Sequence, residues 1–405
     1  MPMPKLHYFN PGSEEAVWSG NIHLTPSANV QRMFTDLSCI PLWYASQDDL
    51  VWTEDPKAVS YSEEMHMIFP NLPQIFSTET MKKPEEYPQL EAAPWGLSPH
   101  SLYQFKLLRK KTNLPLSITT WKERYRTLTG RRMAKCVFNR LKELLPGVNM
   151  PKAPEFVCFF ADVERLAHNS RYPLILKKPF SSSGRGLHWL RGPKLNDKDI
   201  KWINGALNKQ GEVSVERAQN KLIDFAMEFE SDGNGKVAYR GLSVFGTQDN
   251  GAYIGNVIGS EAFRQSLLLQ YVSKEVLEMY KNALETALSE YYGSHYAGPL
   301  GVDMLIYAGP NNQPMVHPCV EINMRRTMGM LALNLSERYV SEDSTGNFRL
   351  EFNANEGAIN QLHQEMETNY PIVMRNGRIT SGYVALSPVA EETNFWAYMI
   401  ISEQH

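Results

Sequence analysis

The stretch Tyr172–Leu190 constrains the fold more than any other part of this sequence. The apolar run Leu174–Leu176 predicts a buried strand, and Leu187–Leu190 predicts a second strand after a short loop. Lys177 and Lys178 stand where the first strand ends and the loop begins. Glycine lets a backbone approach a ligand closely, and the N–H groups of such a loop can surround a phosphate. The sequence therefore predicts a strand–loop–strand unit with a cation at the mouth of the loop.

The loop Ser181–Gly186 belongs to neither of two common phosphate-binding motifs. A P-loop places its lysine after the glycines and opens a helix there, and the pattern GxxxxGK[ST] is absent from the sequence. The dinucleotide-binding pattern GxGxxG is absent as well. Taken alone, the loop also fits a flexible hairpin tip with solvated lysines. The choice between the two interpretations depends on the sequence downstream.

A second informative stretch lies downstream, where Leu300–Tyr307 and Met315–Asn323 predict two strands joined by a turn. Side chains alternate across a strand, so Glu321 and Asn323 share one face. Asp303, on the partner strand, joins them if the strand register allows it. Oxygen ligands on a rigid sheet suit Mg²⁺, which is usually held by few protein groups together with substrate phosphates. The alternative is the polar side of a surface hairpin.

The composition excludes several classes of protein. Of 405 residues, 42% are hydrophobic and 21% are charged, which is typical of a globular chain with two or three domains. The net charge of −3 argues against binding of nucleic acid or an anionic membrane by the surface as a whole. The amino terminus shows no signal-peptide pattern, and no apolar run approaches the ~18 residues of a spanning helix.

The four cysteines are Cys39, Cys136, Cys158 and Cys319, and no CxxC pair occurs among them. Scattered cysteines of this kind predict buried thiols in a reducing compartment. Together with the composition, this predicts a cytoplasmic enzyme without a membrane partner.

One segment, Lys106–Lys142, departs from the even charge balance. It holds twelve Lys or Arg residues and one acid, Glu123, so its net charge is +11 and the rest of the chain carries −14. Such a segment fits solvated faces of amphipathic helices, or a positive wall that faces a phosphorylated ligand. Nucleic-acid binding is the weakest of three interpretations, because aromatic residues are few (Trp121 and Tyr125) and no nucleic-acid-binding motif is present.

The remaining pattern predicts a mixture of strands and helices. Residues 5–9 predict a strand followed by a Gly turn, as at the start of an α/β domain. Arg131–Leu145 and Val272–Tyr292 predict helices, because their apolar residues recur at helical spacing. Gly211–Phe229 predicts two strands. The frequent prolines from Pro56 to Pro99 predict no long regular element in that segment.

In order and spacing, five motifs resemble those of the ATP-grasp superfamily: PLILK, SSSGRG, VER, GVDMLIY and VEINMRR. The resemblance covers about residues 120–345. It implies an α/β (α+β) fold in which two α+β lobes hold a nucleotide between antiparallel sheets, after a small α/β domain. The implied domains are residues 1–115 for the N-terminal domain, 116–210 for the small lobe, 211–345 for the large lobe with the metal site, and 346–405 for a C-terminal extension.

The resemblance implies a set of nucleotide-binding residues. Lys177, with Lys178 as the alternative, would contact the phosphates of ATP. A further upstream lysine has a similar role in the family, and Lys135 is the candidate for it, while Asp224 is the candidate for the ribose. The loop that closes over the phosphates comprises Ser181, Ser182, Ser183, Gly184, Arg185 and Gly186. The hinge beside adenine comprises Glu216, Arg217 and Ala218.

The resemblance also implies a metal site and an acyl-transfer site. Asp303, Glu321 and Asn323 match the family's Mg²⁺ ligands. Arg325 or Arg326 stands where the family often holds the acyl phosphate or the acceptor. The implied activity is an ATP-dependent ligase that joins a carboxylate to an amine or a thiol and releases ADP and phosphate.

Two other functions stay open beside the ligase. A phosphotransferase would use the same site on a hydroxyl or carboxyl acceptor, and a non-catalytic ATP-binding module would use it without turnover. The presence of Lys177 and of all three metal-ligand candidates argues against the module. The chemistry of acyl transfer fits the residues, because a carboxylate oxygen is a poor leaving group and activation by ATP needs positioning and charge neutralisation.

Overall fold

The computed structural model describes residues 3–181 and 186–403, which fall into two compact units. The first unit comprises Met1–Lys122, Ile254–Arg264 and Arg325–His405, and the second comprises Glu123–Tyr253 and Gln265–Met324. Each unit therefore combines segments that are distant in sequence. The four domains expected from the sequence, with boundaries at residues 115, 210 and 345, stay a prediction.

The strands alternate with helices in the first third of the chain and dominate its last two thirds. The strands of the described residues are β1 Lys5–Tyr8, β2 Leu50–Trp52, β3 Gln74–Phe76, β4 Leu90–Pro94, β5 Leu116–Ser117, β6 Glu155–Val157, β7 Leu174–Lys177, β8 Leu187–Leu190, β9 Val213–Arg217, β10 Lys221–Asp232, β11 Val237–Thr247, β12 Tyr253–Ile258, β13 Ala297–Ala308, β14 Pro314–Asn323, β15 Ser344–Phe352, β16 Val373–Arg375, β17 Arg378–Ala385 and β18 Phe395–Glu403.

The helices are mostly short. The α-helices of the described residues are α1 Glu14–Ser19, α2 Ala28–Asp36, α3 Lys57–Ile68, α4 Pro99–Thr112, α5 Arg124–Thr129, α6 Arg131–Leu144, α7 Phe160–Asn169, α8 Asp197–Gln210, α9 Glu261–Leu269, α10 Lys274–Leu288, α11 Met328–Tyr339 and α12 Ala358–Asn369. The expectation of no long element between Pro56 and Pro99 is wrong for α3, which occupies the proline-free run that follows Pro56. Within the described part of the chain, no helix has both the length and the apolar character that crossing a membrane requires.

The first unit begins with a parallel sheet of order β3-β2-β1-β4-β5. Apolar side chains of these strands and of α4 pack together in its core, among them Leu6, Leu90 and Phe105. Burying a side chain of this size stabilises the fold by roughly 1.5–3 kcal/mol. Helix α4 begins where the hydroxyl of Ser98 accepts the backbone N–H of Ser101 at 3.1 Å. The parallel strands confirm the α/β start predicted from residues 5–9.

The first unit also contains antiparallel strands in the order β12-β15-β18-β17-β16. Strands β15 and β18 pair along the whole of their length. The indole N–H of Trp43 donates to the carbonyl of Leu386 at 2.8 Å, and Asp36 Oδ2 accepts the backbone N–H groups of Asn394 and Phe395 at 2.9 and 3.0 Å. The C-terminal sheet is therefore fastened to the N-terminal segment of the same unit.

The second unit contains two antiparallel groups of strands. One is a four-stranded sheet of order β6-β9-β7-β8, whose core side chains, including Leu176 and Val213, pack with α7 and α8 through Val163 and Ile203. The other runs β14-β13-β10-β11 and contacts α6 and α10. The strands predicted on either side of the lysine loop and within Gly211–Phe229 are confirmed. The strands predicted at Leu300–Tyr307 and Met315–Asn323 are confirmed as well. The mixed α/β class with antiparallel sheets is confirmed as well.

The cysteines are free thiols in two different environments. Cys39 and Cys319 are buried, as predicted. Cys136 and Cys158 are exposed, so the prediction of buried thiols is wrong for these two. Cys136 lies on the outer face of α6, opposite the apolar stripe of that helix, and Cys158 follows the short strand β6.

His7 is a buried polar residue in the parallel sheet of the first unit. Its Nε2 lies 3.1 Å from Asp49 Oδ2, and the same carboxylate accepts the backbone N–H groups of Lys5 and Ser46 at 2.8 and 2.9 Å. An ionised carboxylate only accepts, so the neutral ring carries its proton on Nε2. The pKa of His7 is lowered from 6.5 to about 4, mainly by burial and in part by the nearby charge of Arg326, while the hydrogen bond to Asp49 acts in the opposite direction.

The free energy of unfolding should fall as the pH decreases from 6.5 to about 4. In this window the unfolded chain protonates His7 and the native protein does not, so protonation favours the unfolded state. His7 contributes no more than about 3 kcal/mol to the fall. Urea unfolding at about pH 7, 5.5 and 4 measures the effect. The variant His7→Gln should be less stable at neutral pH and lose less stability on acidification; a parallel fall in both proteins would contradict this assignment.

Candidate active site

The two lysines that end β7 point to opposite sides of the four-stranded sheet. Lys177 is buried, and its ammonium forms an ion pair with the Glu216 carboxylate of β9. The pairing of Ile175 with Glu216 places both charged side chains on one face. The ammonium of Lys178 lies 5.4 Å from the centre of the Trp202 ring, on α8. Of the two alternatives, Lys177 is therefore the one that shares a face with another predicted site residue, Glu216.

The predicted hinge residues follow one another at the end of β9. Arg217 is exposed, and its guanidinium lies 3.4 Å from the centre of the Tyr172 ring. The backbone N–H of Ala218 donates to Pro173 O at 2.9 Å, which continues the pairing with the segment before β7. The hinge is thus attached to the strand that carries Lys177.

Asp224, the candidate for the ribose, lies near the start of β10. Its Oδ2 accepts from Lys221 Nζ at 2.5 Å and from the hydroxyl of Thr247 at 2.7 Å. Both partners are donors, so two contacts within the protein fix the orientation of the Asp224 carboxylate. The role of Asp224 toward a ribose stays a prediction.

The ends of the serine–glycine loop lie close together. The backbone N–H of Lys178 donates to Gly186 O at 2.9 Å. A Cβ on Gly186 would lie 2.0 Å from Ser181 Oγ, so only glycine fits at this position. The other predicted loop residues, Ser182, Ser183, Gly184 and Arg185, lie outside the described residues.

The three metal-ligand candidates meet through the register of β13 and β14. Asp303 pairs with Glu321, and Gly301 pairs with Asn323, so all three polar side chains share one face. The amide N–H of Asn323 donates to Asp303 Oδ2 at 3.1 Å. With the amide nitrogen facing Asp303, the amide oxygen of Asn323 is the atom that would bind a metal. The register condition on Asp303 is therefore met.

The donor set fits Mg²⁺. It offers two carboxylates and an amide oxygen on rigid strands, with no sulfur or imidazole ligand among them. Within the described residues, no group of three or more His, Cys, Asp and Glu side chains is arranged to hold a metal. Three protein groups fill only part of the octahedral coordination that Mg²⁺ prefers, so phosphate oxygens or water would supply the rest.

A further acid, Glu228, extends this face on β10. It pairs with Gly301 on one side and with Gly241 on the other, so it stands in the same cross-strand row as Asn323. Glu228 is 1% exposed, and its Oε1 accepts from the hydroxyl of Ser243 at 3.2 Å. The alternation of charged and apolar residues along β10 was visible in the sequence, but the position of Glu228 beside the metal candidates depends on pairing.

Arg131 is a site residue that the sequence interpretation missed. It opens α6 and is 8% exposed. Its Nε donates to Lys178 O at 3.0 Å, and its Nη2 donates to Ser181 Oγ at 3.3 Å. Its Nη1 lies 2.8 Å from Glu321 Oε2, an ion pair in which the N–H is not aligned on the carboxylate. Arg131 thus joins the start of the loop to a metal-ligand candidate.

Lys135, the upstream lysine chosen from the sequence, lies one helical turn beyond Arg131. Its ammonium is 5.8 Å from the centre of the Phe156 ring, which also lies 4.7 Å from the guanidinium of Arg132. Its role toward ATP stays a prediction, and the structure adds Arg131 as an alternative. Arg131 could have been identified from the sequence, because it is the first residue after Gly130 and lies four residues before Lys135, on the same face of the helix.

The charges that act on the buried thiol of Cys319 come from both groups of strands in the second unit. Burial raises the pKa of this thiol, and the charges of Asp303, Lys177, Glu216 and Glu321 act on it next, in that order. Lys177 and Glu216 belong to the four-stranded sheet, and the two acids belong to β13 and β14. Charged groups of both sheets therefore lie near enough to Cys319 to act on its thiol.

Arg325 and Arg326 belong to the first unit, where they make separate contacts. The guanidinium of Arg325 donates to Glu14 Oε1 at 2.6 Å. The backbone N–H of Arg326 donates to Trp95 O at 3.1 Å, and its guanidinium lies 4.2 Å from the centre of the Tyr44 ring. Their predicted catalytic role stays a prediction.

Solved structures with a similar fold cover nearly the whole chain. Biotin carboxylase from Campylobacter jejuni has a TM-score of 0.53 at 12% identity and covers 99% of this chain and 88% of its own. The biotin carboxylase domain of 2-oxoglutarate carboxylase from Hydrogenobacter thermophilus has a TM-score of 0.53 at 12% identity, with coverage of 100% and 87%. N5-carboxyaminoimidazole synthetase from Staphylococcus aureus has a TM-score of 0.48 at 12% identity, with coverage of 100% and 96%. No family model and no curated protein matches the sequence.

These similarities concern the fold. Biotin carboxylase is an ATP-grasp enzyme, and its solved structures share with this chain a parallel N-terminal sheet followed by antiparallel strands. The fold that the five sequence motifs imply is thereby confirmed. This chain has the fold of the ATP-grasp superfamily.

Proposed function

We propose that the protein is an ATP-dependent ligase that joins a carboxylate to an amine or a thiol and releases ADP and phosphate. The observation that carries the proposal is the convergence of cations and oxygen ligands on β14. Lys177 comes from the four-stranded sheet and Arg131 from α6, while Asp303, Glu321 and Asn323 come from β13 and β14. A polyphosphate with a divalent cation needs both kinds of group in one place.

Each group has a defined task in this proposal. Lys177 and Arg131 would bind phosphate oxygens, and the N–H groups of the loop that begins at Ser181 would orient the terminal phosphate. Asp303, Glu321 and Asn323 would hold Mg²⁺, which neutralises phosphate charge when bound. The C. jejuni biotin carboxylase was crystallised with an ATP ligand and the H. thermophilus domain with MgADP and bicarbonate, which agrees with such a site.

The reaction balances in two displacements. A carboxylate oxygen of the first substrate attacks the γ-phosphorus, the bond to the bridging oxygen breaks, and ADP leaves with that oxygen. The amine or thiol of the second substrate then attacks the acyl carbon, and phosphate leaves with the former carboxylate oxygen. The attacking nitrogen or sulfur loses its proton. The protein contributes by positioning and by electrostatics.

A product assay tests the proposal. The protein, with MgATP, is screened against carboxylates paired with amino acids and small amines, and ADP, phosphate and coupled product are measured. The expected result is ADP and phosphate in equal amounts, together with an amide or thioester. A stable phosphorylated product would indicate a phosphotransferase. ATP binding without turnover across the screen would favour a binding module.

Glu321→Gln should remove the Mg²⁺-dependent part of ATP binding. The measurement is thermal unfolding with ATP alone and with MgATP, where bound ligand at a hundredfold excess over Kd stabilises by about 2.7 kcal/mol. The matched control is Glu212→Gln, since Glu212 also pairs with an α6 arginine, Arg132. Both variants lose an arginine partner, and only Glu321→Gln should lose the Mg²⁺ increment. Equal increments in the two variants would remove Glu321 from the metal site.

Arg131→Ala should weaken ATP binding by about tenfold or more, because it removes charge-assisted hydrogen bonds at a nearly buried position. The neighbouring control is Arg132→Ala, whose exposed guanidinium pairs with Glu212 and should matter little. Titration with ATP and MgATP gives the affinities. Lys135→Ala decides between the two candidates for the upstream cation. A larger loss in Lys135→Ala than in Arg131→Ala would favour the choice made from the sequence.

A further inference from the structure

The parallel sheet of the first unit has a topological switch point between β1 and β4. Chain order proceeds from β1 through β2 to β3 on one side and from β4 to β5 on the other. In open parallel sheets, ligands bind in the crevice beyond the carboxyl ends of the strands at such a point. The loops that follow β1 and β4 meet there: Asn10 Nδ2 donates to Gly96 O at 2.7 Å, and Gly96 N donates to Asn10 Oδ1 at 3.1 Å.

The same place holds Ser13 and the two arginines. A Cβ on Gly96 would lie 2.1 Å from Ser13 Oγ and 3.8 Å from Arg325 Cδ, so the three residues are in close approach. The backbone of Arg326 is bound to the loop after β4 through Trp95 O. The segment with both arginines therefore lies against the crevice of its own unit.

The two arginines differ in whether a nearby acid neutralises their positive charge. Arg325 is paired with Glu14 at 2.6 Å, and this pair is close to neutral. Arg326 is half-buried and has no ion-pair partner and no side-chain hydrogen bond among the described residues. Its guanidinium is held over the face of Tyr44 by a cation–π contact instead. Arg326 therefore presents a fixed positive charge and free N–H donors.

Two buried polar atoms beside Arg326 also lack partners. Within the described residues, Tyr44 Oη and His7 Nδ1 make no hydrogen bond, and the two rings meet edge to face at 5.2 Å. Burial raises the pKa of the Tyr44 hydroxyl, which stays a neutral donor. His7 Nδ1 carries no proton and is an acceptor, whereas the Tyr44 hydroxyl is a donor. A buried donor without a partner is unfavourable, so a Tyr44 hydroxyl beside an unpaired cation is typical of a site that receives an acceptor group.

We infer that Arg326 and Tyr44 form a recognition site for an oxyanion of a small substrate, a carboxylate or a phosphate monoester that is not the group activated by ATP. The planar guanidinium matches both oxyanions by paired N–H donors. The site lies in the first unit, and binding there requires no nucleotide. Its assignment to a substrate rests on the proposed function.

The test compares probes that share an amine and differ in the oxyanion. The panel contains α-amino acids, the amines that lack their carboxylate, and phosphoethanolamine, each added to the full-length protein during thermal unfolding. An oxyanion-bearing probe should raise the Tm of the wild type, and the matching amine should not. Arg326→Ala should weaken binding of that probe about tenfold or more. Tyr44→Phe, which keeps the ring under the guanidinium, should weaken it less.

Controls separate this inference from the proposed function. Arg375→Ala removes an exposed arginine of the same unit and should leave probe binding unchanged. Arg326→Ala should retain the Tm increase given by MgATP, which also shows that the variant is folded. Equal binding to Arg326→Ala and the wild type, equal binding of the amines, or no binding by any oxyanion probe would overturn the inference. If MgATP does not raise the Tm of the wild type, the proposed function is overturned instead.

Discussion

The contact between Arg131 and Glu321 is the interaction on which the site depends. One guanidinium contacts the backbone before the loop, the first serine of the loop and a carboxylate on β14. Arginine can do this because its fork of N–H groups reaches three acceptors in one plane. The contact ties the small sheet to the facing strands of the second unit, and it places a positive charge where a metal and phosphates would bring charges of their own. Binding of MgATP would therefore rearrange this contact and not simply fill an empty space.

The ion pair of Lys177 and Glu216 sets a second constraint of the same kind. The two side chains are 7% and 10% exposed, so both charges have lost most of their water. Breaking a buried pair by removing one partner is costly because it leaves the other charge uncompensated. A phosphate that binds Lys177 would supply a replacement charge, and Glu216 would then need a new donor. In the proposed ligase, this exchange would couple the hinge that contains Glu216 to phosphate binding by Lys177.

The sequence predicted the parts of the site that depend on local pattern. The hairpin around Lys177, the alternation that puts Glu321 and Asn323 on one face, and the helix that carries Arg131 all follow from spacing within single elements. The pairing of Asp303 with Glu321 depends on register between strands, which the alternation left open. Arg131 was missed because helical spacing marks an apolar stripe but does not tell which of the cations beside it, Arg131 or Lys135, reaches the loop. Only the packing of the first helical turn against the loop distinguishes the two cations.

The C-terminal residues show why fewer structural features could be predicted from the sequence in that part of the chain. Strand β15 pairs with β18 across the intervening residues 353–394, and Asp36 fixes the start of β18 through backbone N–H groups more than 350 positions away. Contacts of such separation leave no periodic signal in either segment. The same holds for Arg326 and Tyr44, which are also far apart in the chain and meet only in the folded unit. In the sequence, Arg325 and Arg326 are two adjacent arginines that nothing distinguishes. In the folded unit, Glu14 neutralises the charge of Arg325. Arg326 instead packs on the uncharged face of Tyr44 and keeps its positive charge.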